Sequence, residues 1–218
     1  MTWSEVAELL WQGLRETTWM VGFSTVLTAI GGLLVGVLLT LTERGGLLPL
    51  RPVNALLGLV VNVGRSLPFI ILLVAVIPFT RAVVGTTIGT TAAIVPLTIG
   101  AIPFYARLVE TAIHEVPADV VAAATAMGAT RRQIVGKVLL REARPGLVAG
   151  LTVTVIALVG YSAMAGVVGG GGLGDLAIRY GYQRFETEVM IATVGVLVVF
   201  VQLIQTLGDV LVRRLYHR

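Results

Sequence analysis

The residues of this chain predict an all-α, polytopic membrane bundle with five transmembrane helices, and three observations carry that prediction. First, the 218 residues are 56% hydrophobic and only 13% charged, with a mean hydropathy of +0.92, whereas a water-soluble domain carries about 25% charged residues. Second, the apolar residues fall into long blocks, and a bilayer takes about 20 helical residues to cross. Third, the basic residues lie between the blocks and gather on alternate sides. The absence of cysteine excludes disulfides and thiolate metal sites. The net charge of +4 does not indicate a nucleic-acid partner, because the basic residues are distributed by membrane side.

Taken in order, residues 1–16 place Trp3, Leu9, Leu10, Trp11 and Leu14 among Glu5, Glu8, Arg15 and Glu16, the pattern of an amphipathic extracytoplasmic helix anchored by tryptophan. No cleavable signal peptide is expected there, since a basic region followed by a short apolar one is missing. Residues 17–218 are expected to form a single transmembrane domain. The first span, 19–41, is free of charge and holds Gly32 and Gly36, a GxxxG pair that admits close helix packing. Packing inside the chain's own bundle is the plainer use of that pair. A polar turn follows over 42–52, then a second span over 53–79 interrupted by Arg65 and Pro68. A short loop over 80–85 holds Arg81. The third span, 86–105, contains Pro96 and Pro103, residues that kink helices. The fourth span is 147–168, a glycine-rich loop covers 169–188, and the fifth span is 189–207.

Five spans put the two ends of the chain on opposite sides. One side collects Arg44, Arg51, Arg107, Arg131, Arg132, Lys137, Arg141, Arg144, Arg213, Arg214 and Arg218; the other holds Arg15, Arg81, Arg179 and Arg184. The positive-inside rule then places the N-terminus outside and the C-terminus in the cytoplasm.

The stretch 115–146, EVPADVVAAATAMGATRRQIVGKVLLREARPG, lies on that cytoplasmic side. It reads as two short helices. Pro117 suits a first helical position. Val120, Val121, Ala124 and Met127 share one apolar face. Gly128 is the residue for a left-handed stop. Thr130 and Gln133 have capping-box spacing, so a second helix begins there, with Ile134, Val135, Val138 and Leu139 as its apolar positions. Such a hairpin is too short to be a domain and is read as a docking element.

No catalytic constellation and no metal-ligand spacing is visible. His114 and His217 lie far apart at the edges of charged segments and read as solvated residues. Lys137 follows Gly136, but Arg131 and Val138 stand where a phosphate-binding loop needs glycine and Ser or Thr. Gly169, Gly171 and Gly174 match G-x-G-x-x-G only after a membrane helix, so they read as a tight turn at the outer face. No acidic residue lies mid-span, which argues against proton or sodium coupling. Arg65 has two readings: a functional intramembrane cation at the break Gly64-Arg65-Ser66-Leu67-Pro68, or an arginine that snorkels to the headgroups. A bundle with neither an ion site nor an ATP site draws energy from a partner or is a channel.

The run Ala122-Ala123-Ala124-Thr125-Ala126-Met127-Gly128, followed at the right spacing by Val138-Leu139-Leu140, resembles the EAA loop of bacterial ABC-importer permeases. Ala122 stands where that motif has Glu, and Arg141 where it usually has Pro. Arg65-Ser66-Leu67-Pro68-Phe69, Ile77-Pro78-Phe79-Thr80-Arg81, Ala93-Ile94-Val95-Pro96-Leu97-Thr98 and Leu158-Val159-Gly160-Tyr161-Ser162-Ala163-Met164 resemble the methionine-uptake branch. So does the closing pattern, Gln205 to Asp209 and His217-Arg218.

The resemblance implies a type I importer permease fold in the bacterial inner membrane. It implies a homodimer with the translocation path between subunits, two cytoplasmic ATPase subunits, and an extracytoplasmic methionine-binding protein. It implies that this chain is not an enzyme and binds no cofactor, ATP and magnesium belonging to the partner ATPase. Ala122, Ala123, Ala124, Met127, Gly128, Arg131 and Arg132 would couple to that ATPase. Arg65, Ser66, Pro68, Tyr161, Ser162 and Met164 would belong to the path or its gate. Met164 offers a soft thioether to a methionine side chain, while Tyr161 and Ser162 offer hydroxyls; ordinary packing is the other use of Met164. The substrate implied is methionine, in L and D forms. The alternatives are a permease for another small amino acid or osmolyte, a passive channel, or a membrane scaffold.

Overall fold

A computed structural model describes residues 2–216; His217 and Arg218 of the closing pattern lie outside the described residues. Every regular element among them is helical. Four helices are long and apolar enough to cross a membrane: α1 (Trp3–Thr42), α5 (Thr90–His114), α9 (Arg144–Val167) and α11 (Thr187–Tyr216). A bent pair, α2 (Arg51–Ser66) and α3 (Phe69–Ala75), whose axes turn by 109°, is apolar enough to bring the number to five when it is counted as one span.

The expected boundary between an interfacial helix over 1–16 and a first span is not there. Thr2 and Glu5 form a capping box at the start of α1, and the helix then continues for 40 residues. The charges of the first four turns do not interrupt it, because Gly13 and Thr17 on the same helix are buried against the rest of the bundle. The second span differs more. Pro68 has no N–H and pushes the residue before it out of the helical region; Leu67 is accordingly extended, at φ −81° and ψ 129°. A second break at Val76 starts α4 (Ile77–Val84), so the loop expected over 80–85 is largely helical and ends on Gly85 at φ +82°. The third span runs nine residues beyond its expected end at 105, to His114. Arg107 and Glu110 pair with each other at 2.7 Å in that extension, so neither charge opposes the helix. Pro96 and Pro103 are buried within α5 and do not end it.

α1 and α5 run side by side in parallel and form the spine. Gly32 and Gly36 face α5, where a Cβ on Gly32 would lie 2.7 Å from the Tyr105 ring and one on Gly36 2.5 Å from the Ala106 carbonyl. The GxxxG pair therefore serves the chain's own bundle. Around the spine, Met20, Val21, Phe69, Leu73, Leu97, Leu158 and Val159 make the larger core. A second core of Tyr105, Val109, Ala112, Ile113 and Ala143 joins the lower end of α5 to the loop that follows it.

The loop over 169–188 is not merely polar coil. Gly169 and Gly171 adopt positive φ in a tight turn, as expected, and Gly172 joins them, whereas Gly174 falls in the helix that follows. The chain then forms α10 (Gly172–Leu176) and a π-helical turn (Ala177–Tyr182) that packs back on α11.

Candidate functional site

Two regions bear on function: the loop between α5 and α9, and the broken span beside α9. In the loop, α6 (Ala118–Ala126) begins one residue later than expected. Pro117 is its cap rather than its first helical residue, because its ψ of 130° is extended. Gly128 takes φ +79°. The Gly128 N–H donates to the Thr125 carbonyl and the Ala129 N–H to the Ala124 carbonyl, each at 3.0 Å, the paired bonds of a Schellman stop. Thr130 and Gln133 complete the expected capping box. The second helix is a composite of α7 (Arg131–Gln133), a π-helical stretch (Ile134–Leu139) and α8 (Leu140–Glu142).

These choices decide which side chains face outward. Ala124 is buried and Val121 half-buried, and α6 packs against the π-helical stretch, where Ile134 is buried. The expected apolar face is only partly used inward: Met127 is 82% exposed. Ala122, Ala123 and Ala126 are exposed beside it. Arg131 and Arg132 are exposed too, and neither has an ion pair or hydrogen bond among the described residues. The outcome is an apolar tip flanked by free arginines. Behind the tip, Leu139, Leu140 and Ala143 pack on the lower core with Ile113 and Ala112. The Tyr105 hydroxyl donates to the Leu147 carbonyl at 3.2 Å. The hairpin is therefore packed against both α5 and α9.

At the broken span, Arg65 is exposed and has no hydrogen-bond or ion-pair partner among the described residues. The carbonyls freed by the break do not receive it. Ser66 donates back to the Asn62 carbonyl at 2.7 Å. Pro68 caps α3, and Phe69 immediately after it stacks on Tyr161 of α9, with centroids 4.5 Å apart and planes at 8°. The break is thus pinned to α9 by an aromatic pair. Ser162 corrects the expectation: it is buried, and its hydroxyl donates to the Val159 carbonyl at 2.7 Å. Two residues further round, the helix presents its other face. Met164 is 47% exposed, and Gly160, one turn before it, is exposed with open space where a side chain would be. Gly160, Met164 and Val167 share one exposed face of α9. Phe69 and Gly160 went unnoticed in the sequence; the i, i+4 spacing of Gly160 and Met164 was the available signal for one of them.

The end of the bundle away from the hairpin carries a third feature. Glu16 accepts the Gly172 N–H at 2.7 Å, Thr17 accepts the Leu173 N–H at 2.9 Å, and the Gly89 N–H donates to the Gly169 carbonyl at 2.9 Å. These bonds tie the glycine turn to α1 and to the start of α5. Glu16, Gly89, Gly169 and Gly172 line a cavity of about 600 Å³ together with Asp175, Arg179 and Tyr180.

A multi-span helical bundle with a pinned break in one span and an exposed apolar-and-basic hairpin between two others is the architecture of a membrane permease subunit. The chain belongs to the family of binding-protein-dependent transport system inner membrane components, whose pattern matches residues 32–218. It is 55% identical to the probable D-methionine transport system permease protein MetI of Vibrio cholerae, over 97% of this chain and 94% of that one. It is 45% identical to the methionine import system permease protein MetP of Bacillus subtilis, over 93% and 91% of the two chains. Among solved structures, it superposes with a TM-score of 0.96 at 50% identity on a chain of the MetNI methionine ABC transporter in inward-facing conformations, covering 99% of both. A histidine-bearing amino acid ABC transporter, at TM-score 0.80 and 19% identity, shares the fold. The fold is that of type I ABC importer permeases.

Proposed function

We propose that this chain is the permease subunit of an ATP-driven importer of methionine, L and D, working as a homodimer with two cytoplasmic ATPase subunits and an extracytoplasmic methionine-binding protein. The observation that carries this reading is likeness to methionine permeases along nearly the whole chain, 97% of it at 55% identity. Reaction energy comes from ATP and magnesium on the partner ATPase; this chain supplies the path and the transmission. The hairpin tip at Ala122, Ala123, Ala126, Met127 and Gly128 seats in a groove of the ATPase, with Arg131 and Arg132 meeting acidic residues at its rim. The charge distribution supports an orientation with the tip and C-terminus in the cytoplasm and the N-terminus outside.

ATPase closure moves the tip, and the lower core passes that movement to α5 and α9. The exposed face of α9 with Gly160, Met164 and Val167, together with the break at Arg65–Pro68, lines the path between two copies. A thioether and a bare glycine surface suit passage of an apolar, flexible side chain without holding it tightly; selectivity belongs to the binding protein. The test is reconstitution of the permease, the ATPase and the binding protein in liposomes, with labelled methionine outside the receptor-facing side. Accumulation that requires all three proteins and ATP is expected. Accumulation with this chain alone would overturn the proposal.

A further inference from the structure

We propose that Glu43, Glu110 and His114 form a binding site for a divalent transition-metal ion of the zinc type, at the neck where α5 enters the exposed loop. The three residues offer ligand atoms that all lie within 4.8 Å of one another. Glu110 and His114 are one turn apart on α5, so both side chains leave the same face of the helix. Glu43 comes from the end of α1, 71 residues away in sequence, and its Oε1 lies 2.8 Å from His114 Nε2.

The donors are held by structure on two sides. Asn54 Nδ2 donates to the Leu39 carbonyl at 2.8 Å and to Thr42 Oγ1 at 3.2 Å. The Leu50 N–H donates to the Thr42 carbonyl at 3.1 Å. The backbone that carries Glu43 is therefore fastened to α2, while Gly36 holds α1 tightly to α5 just above. Arg107 occupies Glu110 Oε2 at 2.7 Å and leaves Oε1 for a metal. That arginine bond also orients the carboxylate, as outer partners of metal ligands commonly do.

The chemistry selects the ion. One imidazole nitrogen and two carboxylate oxygens suit zinc and its neighbours, whereas magnesium and calcium take all-oxygen sites. Ligands about 2.0–2.2 Å from zinc lie roughly 3.3 Å apart in a tetrahedral arrangement. The hydrogen-bonded His114–Glu43 contact is already close to that separation. His114 binds the metal through an unprotonated Nε2, any proton on that nitrogen being released to water, and a water takes the fourth, exposed position. Glu115 follows His114 directly, so an occupied site would staple the base of the loop to the turn after α1.

The test uses the full-length chain in detergent micelles, free of any histidine tag. Zinc is titrated in competition with a chromophoric chelator, and cobalt is added in parallel to read ligand-field absorption. One zinc per chain is expected, with visible cobalt bands characteristic of four- or five-coordination. E43Q and H114A should each weaken binding at least about tenfold, while H217A leaves it unchanged. Thermal unfolding of each metal-free variant checks that it is folded, and zinc should raise the midpoint of the parent and of H217A only. Absence of stoichiometric binding, or equal binding by H114A, overturns the proposal; so does a preference for calcium over zinc.

Discussion

Replacing Gly128 by valine isolates the turn of the hairpin. A Cβ at this position meets nothing within 4 Å, so no neighbour is displaced and the perturbation is confined to the backbone. The φ of +79° is the whole of it. An L-residue in the left-handed region costs roughly 1–2 kcal/mol, and a β-branched one sits at the high end. That energy corresponds to a factor of about 5–30 in the ratio of the native turn to its alternatives, and so sets the upper bound on the loss of native turn. Because Gly128 is exposed and far from both cores, the thermal midpoint of the purified chain should hardly move. Transport should move: ATP-driven methionine uptake by the reconstituted complex is expected to fall by up to about 5–30-fold, in step with the lost turn population. Gly128→Asn serves as the control, since asparagine tolerates this region, and should keep most of the uptake. If the valine variant transports as well as the parent while the complex remains assembled, the hairpin turn has no part in coupling.

Other expectations follow from single contacts. Gly36→Ala inserts a Cβ 2.5 Å from the Ala106 carbonyl; overpacking of this kind costs about 1–3 kcal/mol, measurable as a lowered unfolding midpoint in detergent. Thr130→Ala removes the cap of the second loop helix, at a cost near 1 kcal/mol, seen as faster hydrogen exchange over 131–134 with the spans unaffected. Phe69→Leu and Tyr161→Leu each break the stack that pins the bent span. A double-mutant cycle on unfolding should return a coupling of about 0.5–1.5 kcal/mol, and a coupling of zero would detach the break from α9. Glu16→Ala strands the Gly172 N–H that Glu16 accepts, so crosslinks or exchange rates at 169–173 should report an opened glycine turn.

Much of the architecture was legible because the bilayer is a demanding solvent. Long uncharged runs and the Gly128 and Thr130 signals follow from local chemistry, and the turn at Gly128 and the capping box at Thr130 appear where they were read. The misplacements also have local causes that only contacts reveal. Residues 1–16 lead into a face at Gly13, Glu16 and Thr17 that meets a partner 156 residues away, and a sequence window cannot separate that face from one lying on lipid. Arg107 and Glu110 look like the end of a span until their mutual ion pair is seen. Ser162 looks like a path hydroxyl until its helix phase turns it inward.

The residues alone determined that this chain lives in a membrane as helices and where along the chain its basic hairpin falls. Hydropathy and charge are additive along the chain, so they can be read without knowing what touches what. Only the tertiary structure decided that Gly32 and Gly36 serve the internal spine, that the second span folds by 109° onto Tyr161, and that Glu43 meets His114. Those are distances between residues remote in sequence, and they exist only once helices have packed.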